Sequence, residues 1–420
     1  MSGESAPRSI AAAVVFLGTL VTCSATYASD VVLEWNQIAL AATVTAGQGP
    51  LPQIRSMAIV QVSVHDAVNA VTRDYRTYLH RRHVPFGASA DAAAIGAAHR
   101  ALTSLFPTQA AGLDAARASS LASHAVSSAD PGIAFGEAVA TAVVALRSFD
   151  GAGEAQFPYT APHAGEPGVW VAIGGAPALL PGWGKVAPWV IGKASRFRPD
   201  GPPPLSSRRY ARDYNEIKEI GSMTSATRTV EQTEIARFWV GTPSAIWNGV
   251  ASQILESRGL DISTTARVLA LLYLAAADAS IVCWDTKYTY NFWRPIFAIR
   301  QGDTDGNDHT LADPAWEPLI PTPPFPEYVS GHTTNSSAMA TVLQLLFGDD
   351  PGIPIVATSP TNPGFERHWE SLSEGVDEVI DARVYSGIHF RTSDEIGARV
   401  GRVIARSVIR HALEPRHHFD

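Results

Sequence analysis

The sequence predicts an all-α fold built from helical bundles. Apolar residues recur at helical spacing in residues 54–71, and a wide apolar face with the same period extends over residues 264–294. The alternation of apolar and polar residues that is typical of half-buried strands is scarce. With 46% hydrophobic and 17% charged residues, the composition is that of a globular protein with extensive buried surface.

Changes in composition divide the chain of 420 residues into four parts. The predicted limits are a signal peptide at 1–28, an N-terminal helical domain at 30–150, a Pro/Gly-rich connector at 151–206 and a C-terminal helical domain at 207–415. Further helices are predicted at 91–105, 131–147, 333–347 and 395–411. The connector contains Trp170, Trp183 and Trp189, which predicts that it packs against the body of the protein.

The N-terminus has the pattern of a secretory signal. Arg8 precedes an apolar run at 10–23, and small residues follow up to an expected cleavage point near Ala28. The run is shorter than the roughly 20 residues that span a bilayer. We therefore expect an exported protein, periplasmic or secreted, with no integral membrane segment in its mature form. Removal of Cys23 would leave only Cys283, so no intrachain disulfide is expected.

The formal net charge of −8 argues against nucleic acid or an anionic membrane surface as the main partner. Cationic side chains with a functional role must therefore act locally, within a site.

Three short segments in the last third of the chain supply three cations and two histidines. They are KYTYNFWRP (287–295), SGH (330–332) and RVYSGIH (383–389). Lys287 is one of only four lysines, so its spacing from the Arg-Pro pair is informative. Lys287 and Arg294 are close to two helical turns apart, which predicts one shared helix face and a separation of about 10 Å. Pro295 favours a helix end at Arg294.

Together these segments predict a site for phosphate or a phosphate-shaped oxyanion. SGH precedes a predicted helix, whose N-terminal N–H groups and dipole attract anions, and Gly331 permits a close backbone approach. Arg383 offers a planar fork of donors. The candidate anion-binding residues are Lys287, Arg294, Ser330, Gly331 and Arg383, and the two histidines left for covalent bonding or proton transfer are His332 and His389.

The order Lys-x6-Arg-Pro, Ser-Gly-His, Arg-x5-His resembles the signature shared by vanadium-dependent haloperoxidases and type 2 phosphatidic-acid phosphatases (PAP2). The resemblance covers much of residues 57–411. It is closest in RFWVGTPSAIWN, WDTKYTYNFWRPIFAIR, DGNDHT and TPPFPEYVSGH, which are similar to the soluble, exported bacterial members on the haloperoxidase side. It implies two four-helix-bundle-like units and a vanadate cofactor, with phosphate as an isosteric occupant.

The resemblance also implies the roles of the site residues. His389 would ligate vanadium axially, His332 would act as acid and base near the apical oxygen, and the five anion-binding residues would hold the equatorial oxygens. Trp284 and Phe325 stand where chloroperoxidase-type members carry aromatic residues near the halide pocket, although ordinary core packing is the alternative.

Two positions depart from the family pattern. Val329 stands where many members have proline before Ser-Gly-His. The usual aspartate four residues after the ligand histidine falls one residue later, because Ser393 occupies that place and Asp394 follows. The residue that orients His389 is therefore open at this point.

The resemblance implies that the protein uses vanadate and hydrogen peroxide to oxidise a halide and to halogenate a small organic acceptor. Vanadium would act as a Lewis acid that keeps its oxidation state. One alternative is a soluble exported acid phosphatase that cleaves a phosphate ester through a phosphohistidine at the same site. A second alternative is a non-catalytic oxyanion-binding protein. Hydrophobic helical domains with few charges also favour a homodimer.

Overall fold

The computed structural model describes residues 30–79 and 83–416, and the regular secondary structure of these residues is almost entirely helical. The helices are α1 Val31–Thr45, α2 Pro50–Thr72, α3 Ala90–Leu105, α4 Ala110–Ser123, α5 Pro131–Arg147, α6 Arg208–Ile220, α7 Val230–Phe238, α8 Pro243–Arg258, α9 Ile262–Tyr290, α10 Pro295–Arg300, α11 Gly331–Phe347, α12 Leu372–Tyr385 and α13 Arg391–His411. Strands β1 Ile355–Ala357 and β2 Arg367–Trp369 form one antiparallel pair with Ile355 opposite Trp369. The predicted all-α fold is confirmed. The predicted signal peptide lies outside the described residues.

Local sequence signals explain where most helices begin. Asp130, Ser207 and Asp261 each accept a backbone N–H of the first turn through the side chain, which satisfies a donor that the helix itself leaves free. Proline at the first position starts α2, α5, α8 and α10. The helices predicted from periodicity correspond to α2, α3, α5, α9, α11 and α13.

One hydrophobic core runs through both halves of the described chain. Buried residues from α1 to the end of α13 belong to a single contiguous cluster, in which α2 and α9 pack directly against each other. The predicted limits of the two helical domains stay a prediction, but their apolar faces share this core. The connector has no α-helix and contributes Trp170, Trp183 and Trp189 to buried positions, as expected.

Helix α9 is the centre of the bundle. By length and composition it is apolar enough to cross a membrane, a property that a buried core helix can share. Its most apolar window is wholly buried, and α2, α11 and α13 pack around it. We therefore interpret α9 as the core helix of the bundle.

Glycines on α13 let it approach α11 closely. A Cβ atom at Gly401 would lie 2.2 Å from the carbonyl oxygen of Thr334, and one at Gly397 would lie 2.9 Å from that of Ser330. Since no real Cβ contact is this short, any larger residue must push the two helices apart. This crossing therefore sets the position of Ser330 at the start of α11.

Gly401→Ala is expected to lower the free energy of unfolding by about 1–3 kcal/mol, because the new methyl group overpacks a backbone contact that cannot yield. Gly112→Ala in α4 is the matched control, since a Cβ there meets nothing within 4 Å. It should be neutral or stabilising by up to about 1 kcal/mol. Urea unfolding of both variants tests this, and equal midpoints would contradict it.

Candidate active site

The end of α9 positions Lys287 and Arg294 differently from the single helix face predicted from their spacing. Helix α9 stops at Tyr290 because Asn291 adopts a left-handed conformation (φ 48°) and its N–H bonds to the Lys287 carbonyl. Arg294 lies beyond this break, immediately before α10. The prediction of one shared helix face is therefore wrong, and the chain turn brings the two cations to the same ring instead.

Phe325 is the ring that both cations contact. Lys287 Nζ lies 5.0 Å and Arg294 Cζ 4.7 Å from its centroid. Lys287 Nζ also donates to the carbonyls of Pro326 and Glu327, both at 2.9 Å, and Arg294 Nε donates to that of Phe325 at 2.8 Å. The proline-rich loop before α11 is thus held against the two cations.

Ser-Gly-His forms the beginning of α11, as predicted. Ser330 is the N-cap residue, but its hydroxyl makes no cap bond to its own helix. A Cβ at Gly331 would lie 3.3 Å from the Trp284 ring, so a side chain at this position would press on that ring. His332 follows in the first turn, where the N-terminal end of the helix faces the site.

The predicted break at Ser386-Gly387 separates α12 from α13 and places Arg383 and His389. Gly387 has φ 78°, and a Cβ there would lie 2.4 Å from the Gly221 carbonyl oxygen, so glycine is required. Arg383 Nη1 donates to the Trp239 carbonyl at 2.7 Å. That carbonyl belongs to the RFWVG segment after α7, which sequence analysis had linked to the site only by resemblance.

Four of the seven predicted site residues line one cavity of about 260 Å³, whereas Lys287, Arg294 and Ser330 are not part of its lining. Gly331, His332, Arg383 and His389 line it, together with Trp284 and Phe325. Arg294 Nη1 lies 3.2 Å from His389 Nε2, just behind this lining. Trp284 and Phe325 contact each other with ring centroids 5.0 Å apart, so they form part of the cavity wall, although they also close the core.

Several buried donors of the site are unpaired, which is how an anion site differs from a structural ion-pair network. Among the residues that the structure describes, the guanidinium donors Arg294 Nη2 and Arg383 Nε have no hydrogen-bond partner, and neither has the ring nitrogen His332 Nε2. Leaving such groups unpaired in a protein interior costs free energy. An oxyanion accepts from several donors at once, so the arrangement fits vanadate or phosphate.

Sequence analysis missed Glu327, which binds the predicted ligand histidine. His389 Nδ1–H donates to Glu327 Oε1 at 2.9 Å, and the same oxygen accepts the Phe390 N–H at 3.1 Å. Asp394, the residue considered from the family pattern, lies instead near Ser330 and Arg383. Glu327 is the only acidic residue between Glu317 and Asp349, and this isolated carboxylate was the available signal.

The hydrogen bond to Glu327 determines which nitrogen of His389 carries the proton. With Nδ1 as donor to a carboxylate, Nε2 keeps its lone pair and accepts from Arg294 Nη1. This unprotonated Nε2 lies on the side of the arginines that have donors without a hydrogen-bond partner. His389 is therefore prepared to bond to the central atom of an anion held there.

Burial governs the ionisation of the site. Desolvation lowers the pKa of Lys287 to about 7 and that of Arg383 to about 10. Desolvation raises the pKa of Glu327 to about 7, although Lys287 and Arg294 oppose this change. Both site histidines have a pKa well below the usual value, because burial and the neighbouring cations disfavour a further positive charge. Near neutral pH the site thus carries net positive charge beside two neutral imidazoles.

The contribution of Lys287 to oxyanion binding is expected to fall as pH rises above about 7, where the buried ammonium of the free protein loses its proton. The ratio of vanadate affinities, wild type to Lys287→Met, should therefore be largest below pH 7. It should decline by up to about tenfold per pH unit above that value. Isothermal titration from pH 6 to 9 measures the ratio, in which ionisation of the ligand itself cancels. Lys218→Met is the control, and a ratio that does not change with pH would contradict the prediction.

Comparison with known proteins gives three consistent findings. Residues 267–418 match the family model of the VCPO second helical-bundle domain. Vanadium chloroperoxidase of Curvularia inaequalis is 25% identical over 279 residues, covering 50% of this chain and 45% of that protein. This chain thus spans about half the length of that relative.

Two solved bacterial structures have the same fold. A vanadium-dependent iodoperoxidase superposes with a TM-score of 0.79 at 24% identity, covering 91% of this chain and 96% of its own. An apo-type vanadium-dependent chloroperoxidase superposes with a TM-score of 0.67 at 18% identity, covering 86% and 93%. At these identities the likeness establishes the helical architecture.

Proposed function

We propose that this chain, whose residues 267–418 match the VCPO second helical-bundle domain, is a vanadium haloperoxidase that uses bound vanadate and hydrogen peroxide to oxidise a halide. The oxidised halogen is then transferred to a small organic acceptor. The likeness favours an enzyme of the peroxidase type, and the relatives' names carry vanadium, which supports vanadate as the proposed cofactor.

The observation that supports this proposal best is the set of unpaired donors around the bare Nε2 of His389. Arg294 Nη2 and Arg383 Nε are fully enclosed and have no partner in the described part of the chain. Lys287 has three N–H donors, and two of them form hydrogen bonds to backbone carbonyls. These residues, with Ser330 and the start of α11, would hold the vanadate oxygens, and His389 Nε2 would bind the metal.

When bound, vanadate supplies a Lewis acid that makes hydrogen peroxide electrophilic towards halide. The residues of the chain supply the charge and the proton transfers. The arginines and Lys287 neutralise the anion in an enclosed site, where their attraction is strong. His332 Nε2 is neutral and unpaired, so it can take a proton from hydrogen peroxide and return one to the departing oxygen.

A pair of turnover assays on phosphate-free protein tests the proposal. The first follows halogenation of a dione with hydrogen peroxide and bromide or chloride, before and after addition of orthovanadate. The second follows hydrolysis of an aryl phosphate. We expect vanadate-dependent halogenation, and a loss of about 100-fold or more in His332→Ala through removal of the acid-base group.

If the protein hydrolysed the aryl phosphate, vanadate inhibited this hydrolysis and no halogenation occurred, the proposal would be overturned and the protein would be a phosphatase. Anion binding without either turnover would indicate an oxyanion-binding protein. His309→Ala is the matched control for His332→Ala, because His309 lies on an exposed turn.

We also propose that the protein is exported and that it forms a homodimer. The first rests on the N-terminal sequence pattern, and the second on the low charge content of the helical domains. Mass spectrometry of the extracellular or periplasmic protein and sedimentation of the purified protein test them. An uncleaved cytoplasmic chain or a monomer would contradict the respective proposal.

A further inference from the structure

The cavity beside the candidate site has two unlike halves. His332, Asn335, Arg383 and His389 form its polar end. The rest of its lining is apolar and includes Pro50, Leu51, Leu179, Leu180, Trp284 and Phe325. Halide and hydrogen peroxide are small and polar, so neither requires an apolar wall of this extent.

The apolar half is assembled from segments far apart in the sequence. Pro50 and Leu51 begin α2, Leu179 and Leu180 belong to the connector, and Trp284 lies in α9. A wall contributed by the N-terminal half, the connector and the C-terminal half exists only in the complete fold. The connector, which was predicted to pack against the body of the protein, is thus also part of the cavity wall.

Hydrogen bonds fix the connector against the cavity. The Leu179 carbonyl accepts from Tyr288 Oη at 2.7 Å and from Trp284 Nε1 at 3.3 Å, and the Leu179 N–H donates to the Pro324 carbonyl at 2.9 Å. The Leu180 N–H donates to Gln156 Oε1 at 2.8 Å. These backbone N–H and C=O groups are already hydrogen-bonded within the protein. The segment therefore contributes its leucine side chains to the cavity lining.

We propose that this cavity binds the organic acceptor, and that the acceptor is a neutral aromatic compound of one or two fused rings. The inference rests on the proposed function and names its substrate class. The whole cavity, its polar end included, has a volume of about 260 Å³, against roughly 150 Å³ for an apolar protein cavity known to hold benzene. A charged acceptor is disfavoured, because no charged side chain lines the apolar half to offset its desolvation.

Binding there places a ring next to the point where halide is oxidised. Hydrogen peroxide, halide and a proton give hypohalous acid and water, and peroxide is reduced as the halide loses two electrons. A ring carbon then forms a bond to the halogen. The ring C–H bond breaks, and its proton leaves with the hydroxide of hypohalous acid as water. His332 lines the same cavity, where it can carry this proton.

Competition between two acceptors tests the inference on the wild-type enzyme. Phenol and 4-hydroxybenzenesulfonate are brominated together, once by the enzyme with peroxide and bromide and once by reagent hypobromous acid. The enzyme should favour phenol by about tenfold or more relative to the reagent, since the sulfonate must be desolvated to enter the cavity. Equal ratios would overturn the inference, because they show that hypobromous acid reacts after leaving the protein.

Direct binding gives a second, independent measurement. Indole should bind the protein saturably, and Leu180→Asp should weaken it about tenfold or more by placing a carboxylate in the apolar wall. Leu311→Asp is the matched control, because Leu311 is 71% exposed and remote from the cavity lining. Absence of saturable binding, or an equal effect of both variants, would overturn the inference.

Failure of this inference is distinguishable from failure of the proposed function. Oxidation of iodide to triiodide needs no organic acceptor and reports halide oxidation alone. If the enzyme oxidises iodide but brominates the two acceptors in the same ratio as reagent hypobromous acid, the cavity assignment is overturned and the enzyme remains a haloperoxidase. Loss of iodide oxidation together with retained indole binding overturns the proposed function, and with it the acceptor role.

Discussion

Replacing His389 with alanine is expected to reduce vanadate-dependent halogenation by at least about a thousandfold, more than the 10- to 100-fold typical of residues that only support a metal ligand. The reason is geometric. His389 Nε2 is the bare imidazole nitrogen beside the unpaired cations, and Glu327 holds the ring in the tautomer that leaves it bare.

The variant should still bind oxyanions, because Lys287, Arg294 and Arg383 remain. Vanadate accepts a fifth ligand readily whereas ground-state phosphate does not, so the wild type should bind vanadate more tightly than phosphate. In His389→Ala the two affinities should become nearly equal. Isothermal titration with each anion measures this difference without any turnover.

His411→Ala serves as the control, since His411 lies at the exposed end of α13. Thermal unfolding with and without vanadate shows whether His389→Ala remains folded, because ligand binding stabilises the native state in proportion to its affinity. Substantial halogenation by His389→Ala, or equal affinities of the wild type for vanadate and phosphate, would contradict the assignment of His389 as the metal ligand.

The anion-binding residues could be predicted because each motif is local. Ser-Gly-His predicts its own helix start, and the Ser386-Gly387 break can be predicted from the glycine. The convergence of the three motifs was predicted from their combined cations and histidines and then from the family resemblance, since no local pattern relates Lys287 to Arg383 across the bundle. Gly331 and Arg383 line one cavity with the two histidines, and the roles of all the site residues remain predictions.

The sequence could not predict the contacts that depend on the complete fold. A spacing of seven residues suggested one helix for Lys287 and Arg294, but Asn291 can adopt the left-handed conformation that ends α9 first. The bond between Glu327 and His389 joins residues 62 positions apart. The position of the connector also depends on distant residues. Tyr288 and Trp284 donate to the Leu179 carbonyl, and these bonds hold the two leucines of the connector at the cavity.

Glu327→Leu is expected to weaken vanadate binding by about 10- to 100-fold, the usual effect of removing the partner that orients a histidine ligand. Without the Oε1 acceptor, the proton of His389 is no longer held on Nδ1 and can move to Nε2, the nitrogen that must stay bare. Glu327→Gln keeps an oxygen acceptor of similar size. It should therefore retain affinity within a fewfold of the wild type.

Nitrogen-15 NMR of the histidine side chains, with His389 assigned by comparison with the His389→Ala spectrum, reports the tautomer directly in the vanadate-free protein. The wild type and Glu327→Gln should show the proton on Nδ1, and Glu327→Leu should show a population with the proton on Nε2. Glu317→Leu is the control, because Glu317 pairs with Arg300 at the surface.

If Glu327→Leu kept both the tautomer and the vanadate affinity of the wild type, the orienting role would be wrong. If Glu327→Gln were as weak as Glu327→Leu while its tautomer stayed correct, the negative charge of Glu327, and not the orientation of His389, would be what vanadate binding requires.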